Sequence, residues 1–141
     1  MAEFLPSFAQ RFAQLSADNL ALLDELYHPD VHFRDPLHHV FGLPALHRYF
    51  VYMYASITEL RFDFEHYDQV REGEGYLRWR MHFRHPKLAS GRLISVDGCS
   101  HLLWRDEKVY AHHDYFDAGA LLYEHLPLFG KVIQWLKRRA A

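Results

Sequence analysis

Apolar residues near the N-terminus recur every three or four positions. Phe4, Leu5, Phe8, Phe12 and Leu15 share one face, which predicts an amphipathic helix ending near Ser16. A second helix is expected after Ser16 or Asp18 as cap, with Leu20, Leu23, Leu26 and Tyr27 as its stripe and His28-Pro29 as its stop. Val31 to Pro36 reads as a short extended segment. Gly42-Leu-Pro44 then opens a third helix, with proline in the first turn and Leu46, Phe50, Met53, Tyr54 and Ile57 on the buried side.

After Thr58 the period changes from helical to two. Leu60, Phe62 and Phe64 alternate with Arg61, Asp63 and Glu65, and Gly73-Glu-Gly75 marks the next turn. Leu77, Trp79, Met81 and Phe83 alternate with Arg78, Arg80, His82 and Arg84. Beyond a turn at His85 to Gly91, Ile94, Val96, Leu102 and Trp104 share a parity opposite to Ser95, Asp97, Cys99 and His101. A last strand runs from Lys108 to Asp117, after the Arg105-Asp106-Glu107 turn. The tail carries a helical stripe of Leu128, Phe129, Val132, Ile133, Trp135 and Leu136 and ends in Lys137-Arg-Arg139. Helices first and strands afterwards define a segregated α+β class. The expectation is a single domain over residues 1–141: a cone-shaped, curved antiparallel sheet packed over three N-terminal helices, with a C-terminal helix.

Composition gives the cone something to hold. The 141 residues include 11 Phe, 9 Tyr and 3 Trp, enough to line a cavity with aromatic rings. Sixteen basic against 18 acidic side chains, mixed along most of the chain, argue against a nucleic-acid partner. The lone Cys99 allows no internal disulfide, and neither a secretion signal nor a run of about 18 apolar residues is present, so a cytoplasmic protein is expected. Dinucleotide fingerprints, phosphate loops and nucleophile elbows are missing, and the adjacent pairs His38-His39 and His112-His113 lack metal-ligand spacing; no cofactor and no metal are expected.

Two segments carry a family resemblance. Leu26-Tyr-His-Pro-Asp-Val-His-Phe-Arg-Asp-Pro36, followed by Gly42 and a helix, resembles the front of the nuclear transport factor 2-like superfamily, with its SnoaL-like and ketosteroid isomerase branches. His112-His-Asp-Tyr-Phe-Asp117 resembles the end of the limonene-epoxide hydrolase branch. The resemblance implies a general base at Asp35 in the isomerase pattern and a catalytic carboxylate at Asp114 in the hydrolase pattern. Neither pattern is complete. Arg11 and Ser100 stand where the isomerase keeps its oxyanion donors, and Trp79 and Met81 occupy the inner face where the hydrolase keeps an arginine and a second aspartate. The resemblance also implies a homodimer through the outer sheet face, which carries Arg78, Arg80, His82 and Arg84 with Ser95, Asp97, Cys99 and His101.

Strand alternation puts His112, Asp114 and Phe116 on one face, joined by Ser100 from the neighbouring strand. With Asp35 across the cone, two carboxylates and an imidazole form the minimum for acid/base chemistry without a cofactor: isomerisation, dehydration or epoxide opening. Asp114, Asp35 and His112 are the catalytic candidates. Ser100, Phe116, Trp79, Met81 and Trp104 from the strands, and Phe50 and Tyr54 from the third helix, are expected to contact a small, largely apolar ligand. Asp35-Pro36 also reads as a simple turn, His112 as a core histidine, and the whole as a carrier or sensor without turnover. Cys99 and His101 share the outer face and read as structural. Lys131, Lys137, Arg138 and Arg139 with Phe129 and Trp135 could make a membrane-surface helix; since cations are ordinary at a helix C-terminus, a tail helix packed near the cone mouth is expected instead.

Overall fold

The computed structural model of the chain describes residues 3–121 and 129–140. Helix α1 (Phe4–Phe12) buries Leu5, Phe8, Ala9 and Phe12, the face that the three- and four-residue spacing defines. It ends earlier than its apolar pattern, because Asn19 closes a turn behind it: Asn19 Oδ1 accepts from Ser16 N (2.6 Å) and Nδ2 donates to Gln14 O (2.7 Å). The second helix is correspondingly short. A 3-10 turn at Leu20–Leu22 leads into a single turn, α2 (Leu23–Leu26), and Tyr27 already opens strand β1 (Tyr27–Arg34). His28 precedes a proline and is driven to extended backbone. Pro29, which has no N–H to donate, falls where the β1 pairing breaks register between Tyr27 and His32. The expected helix stop is therefore a strand interior.

Strand β2 (His39–Phe41) pairs back on β1, and Gly42, at φ +83°, turns the chain into α3 (Leu43–Ser56), whose Leu46 and Phe50 are buried. Then come β3 (Glu59–Arg71), β4 (Glu74–Arg84), β5 (Ile94–Arg105) and β6 (Lys108–Phe116), followed by α4 (Ala118–Leu121) and α5 (Phe129–Ala140). Of the tail stripe, Leu128 lies outside the described residues.

The six strands form one sheet in the order β2-β1-β6-β5-β4-β3. The α+β class holds, with one difference from an all-antiparallel sheet: β1 runs parallel to β6, which makes the sheet mixed. A bulge in β6 positions the site. Trp104 pairs with Val109 while Leu103 pairs with Ala111, so Tyr110 is an extra residue and the inward parity switches from Val109 to His112. Leu77 and Trp79 on β4 and Ile94, Val96, Ser100 and Leu102 on β5 point inward as their alternation requires. On the outer face the alternate set pairs across strands: Arg80 with Asp97 (2.7 Å) and His82 with both Asp63 (2.9 Å) and Ser95 (2.7 Å).

Candidate active site

Between α3 and the inner face of the sheet lies a cavity of about 470 Å3. Phe12, Phe33, Tyr49, Phe50, Met53, Phe62, Trp79, Met81 and Phe116 form an overwhelmingly apolar wall, and Asp35 and Asp114 are its only carboxylates among the described residues. The two carboxylates sit in different surroundings.

Asp114 ends a chain of buried hydrogen bonds. Trp79 Nε1 donates to Ser100 Oγ (2.8 Å), and Ser100 Oγ donates in turn to Asp114 Oδ1 (2.5 Å), its direct partner across the β5–β6 pair. His112 Nε2 lies 2.7 Å from the same Oδ1, and Tyr27 Oη lies 2.8 Å from His112 Nδ1. Burial and the neighbouring Asp114 charge hold the Tyr27 phenol well above the ordinary tyrosine range, so it is a neutral O–H donor. With the Tyr27 O–H donating to His112 Nδ1, the ring presents its Nε2–H to Asp114 Oδ1.

Both donors land on Oδ1. Among the described residues Oδ2 has no hydrogen-bond partner, yet Arg11 Nε is the one buried side-chain nitrogen or oxygen there without one, so Oδ2 opens to the cavity. Behind the carboxylate, beside Ser100 and His112, a void of about 10 Å3 has room for one water at most.

Asp35 is engaged on both oxygens. Its Oδ1 accepts from the backbone N–H of Leu37 and His38 (both 2.7 Å), and its Oδ2 accepts from Tyr49 Oη (3.0 Å). His38 Nδ1 lies 3.2 Å from Oδ1, and the carboxylate is only 4% exposed. Burial and this carboxylate push the Tyr49 phenol far above its usual range, which keeps it a donor to Asp35. The turn geometry that Asp-Pro foreshadows is what the structure shows.

The remaining candidates divide. Phe50, Trp79, Met81 and Phe116 line the cavity with Asp35 and Asp114. Ser100 and His112 lie one layer behind, reaching the cavity through Asp114. Two of the expected contact residues lie off the cavity wall, one from a strand and one from the third helix. Trp104 keeps the inner-face parity of Leu102 but lies at the far end of β5, where α1 covers it: it stacks on Phe4 with ring centroids 4.5 Å apart, off the cavity wall. Tyr54 turns away and donates to Leu15 O (3.3 Å), bracing the loop after α1. Arg11 is also absent from the wall. His101 pairs with Glu74 (2.8 Å) rather than with Cys99, whose thiol is pushed up by desolvation. Among the described residues no three His, Cys, Asp or Glu side chains converge as metal ligands.

Sequence reasoning missed Tyr27, Tyr49 and Gly98. The first was absorbed into a helical stripe. Gly98 carries a readable signal, a glycine in mid-strand: a Cβ there would overlap the six-membered ring of Trp79, its direct cross-strand partner, so this glycine lets the indole lie across β5 and reach Ser100.

An α+β cone with an apolar interior and a carboxylate on its last long strand defines a small-molecule pocket domain. The chain belongs to the SnoaL-like domain family, whose model matches residues 8–112. Solved structures share the fold at low identity. An NTF2-like protein of unknown function from Burkholderia pseudomallei superposes with TM-score 0.74 at 12% identity, over 86% of this chain and 96% of that one. A SnoaL-like polyketide cyclase from Jannaschia, named as such by inference, gives 0.72 at 13%, over 84% and 89%. TerC, co-crystallised with polyporic acid, gives 0.70 at 14%, over 84% and 95%. No curated protein matches the sequence.

Proposed function

We propose that the protein is a cofactor-independent acid/base enzyme acting on a small, largely apolar substrate, with Asp114 as general base. The observation that carries this reading is the asymmetry of Asp114: Oδ1 is held by Ser100 and His112, and Oδ2 is open to the cavity. Two donors on one oxygen fix the plane of the carboxylate and leave the other oxygen aimed at whatever fills the cavity, the arrangement a base needs to meet a C–H or a water. His112, Tyr27, Ser100 and Trp79 position Asp114. None of the first three lines the main cavity, so they act through it.

The wall also limits the substrate. The Tyr49 and Ser56 O–H groups on the wall are already given to Asp35 and to Tyr52 O, and Tyr52 and His38 are exposed, so the wall offers a substrate carbonyl few buried donors. The reading therefore favours a substrate whose C–H is acidified by its own conjugation, as in a vinylogous or 1,3-dicarbonyl compound. Support for a small-molecule ligand also comes from structural neighbours named as a polyketide cyclase or co-crystallised with polyporic acid.

The test is hydrogen–deuterium exchange in D2O at the acidic carbon of a panel of apolar cyclic 1,3-diketones, followed by NMR. Exchange catalysed by the native chain and lost in Asp114→Asn, with the fold intact, is the expected result. Binding of the same compounds without exchange, unchanged by Asp114→Asn, would make the protein a carrier instead.

A further inference from the structure

We propose that α5 docks the protein on an anionic lipid bilayer. Val132, Trp135 and Leu136 stand three and four residues apart on this helix and are 46%, 51% and 49% exposed. The contrast with α1 is instructive: the same spacing there is buried against the sheet. The helix is attached on its other side. Lys137 Nζ lies 2.7 Å from Asp117, and at about 100° per residue Lys137 is roughly 160° around the helix from Trp135. The contact that ties α5 to the end of β6 thus turns its apolar stripe outward.

Charge identifies what the stripe meets. Lys131, Lys137, Arg138 and Arg139 fall in the last eleven residues, which hold no acidic side chain; the rest of the chain carries 12 basic against 18 acidic residues. On the outer sheet face Arg80 and Arg84 are paired with Asp97 and Glu59, whereas this helix carries cations and no acid of its own, so the charge pattern favours one orientation on an anionic surface as well as attraction to it. Lys131 and Arg138, about 20° apart around the helix, stand together along the Trp135 edge of the stripe. The Arg139 guanidinium lies 5.4 Å from the Trp135 ring centroid, a pairing that keeps a cation and an amphipathic indole together at headgroup depth. A short helix with an apolar stripe containing tryptophan and cations beside it is the pattern of an interfacial helix. Docking has a consequence for the cavity: Asp117 follows Phe116, a cavity wall residue, so the attachment point of α5 is next to the apolar pocket.

The experiment is co-sedimentation of the full chain with vesicles of phosphatidylcholine alone and of phosphatidylcholine with phosphatidylglycerol. Binding to the anionic vesicles only, weakening with added salt, is expected. Trp135→Ser with Leu136→Ser should abolish it, and Lys131→Gln and Arg138→Gln should each weaken it about fivefold. The thermal melts of these variants should match the native chain, since the altered side chains are exposed. Three results overturn the proposal: no binding to anionic vesicles; binding indifferent to the Trp135 and Leu136 substitutions; or, without vesicle binding, a homodimer or a nucleic-acid complex that those same substitutions disrupt. The exchange assay for Asp114 uses no lipid, so either reading can fail alone.

Discussion

Replacing Gly98 with alanine tests whether the Trp79–Ser100–Asp114 chain depends on the glycine between its strands. In mid-strand, alanine is ordinarily better than glycine by roughly 0.5–1 kcal/mol, so without a clash Gly98→Ala would stabilise the protein. The Cβ at this position instead overlaps the Trp79 ring, and the indole is 3% exposed with Phe62 packed on it at 5.3 Å between centroids. It has little room to move. Relief of the overlap costs about 1–3 kcal/mol, and a displaced indole gives up the bond to Ser100 Oγ for about 1 kcal/mol more. After the alanine gain, the net loss is about 1.5–3 kcal/mol. For a chain of this length that lowers Tm by roughly 5–12 °C.

The sharper quantity is the coupling. Trp79→Phe alone loses the bond and part of the ring volume, at about 2 kcal/mol, but a smaller ring leaves space for the new Cβ. Gly98→Ala with Trp79→Phe should therefore be less destabilised than the sum of the two single changes by about 1–2 kcal/mol. Urea melts of the four proteins, followed by circular dichroism, measure this directly. A Gly98→Ala protein as stable as the native one, or a double variant additive within about 0.5 kcal/mol, would refute the steric account.

The other predictions concern Asp35 and Tyr54. Asp35→Ala leaves the Leu37 and His38 N–H groups and the Tyr49 O–H without their acceptor, so stability should fall by about 2–3 kcal/mol, seen as a Tm lower by roughly 6–12 °C; an unchanged melt would show that the turn does not need the carboxylate. Burial pushes the Tyr54 phenol up to about 12 from an ordinary 10.0, so above pH 10 the unfolded chain releases a proton that the folded chain retains. Stability should be unaffected by this group below pH 10 and fall between about 10 and 12, less steeply in Tyr54→Phe; equal slopes in the two proteins would rule the assignment out.

How far the chain can be read depends on whether a residue's role is set locally or by a distant partner. The alternation of Leu77 to Phe83 and of Ile94 to Leu102 names inner-face residues correctly because strand period and burial act on the same few positions. Tyr27 fails for the opposite reason. Its helical spacing from Leu23 is real, but the proline two positions later and the pairing with Val109, 82 residues away, override it. Trp104 has the inward parity its alternation gives, but parity does not say where along β5 the cavity lies, and α1 covers that end of the strand through Phe4. Gly98 was legible as an anomaly and became interpretable only with the identity of its cross-strand partner, Trp79.

The two carboxylates show what kind of information was missing. Asp35 and Asp114 are the two positions at which the family resemblance implies a catalytic carboxylate, and each lines the same cavity. What separates them is the number and direction of donors. Asp35 precedes Pro36, and the two backbone N–H groups that follow the proline are presented to its side chain by the turn; Tyr49, one and a half turns into α3, takes the other oxygen. A carboxylate coordinated on both oxygens holds a loop. Asp114 lies in an extended strand paired with Ser100 of β5, and no backbone N–H among the described residues donates to its side chain. Its donors must come from other side chains, and the sheet register delivers both from one side, Ser100 directly opposite and His112 two residues back on the same face. The unpaired oxygen thus follows from strand geometry: a face-directed carboxylate in a sheet has its partners within the plane of its neighbours, and the direction away from them is the cavity.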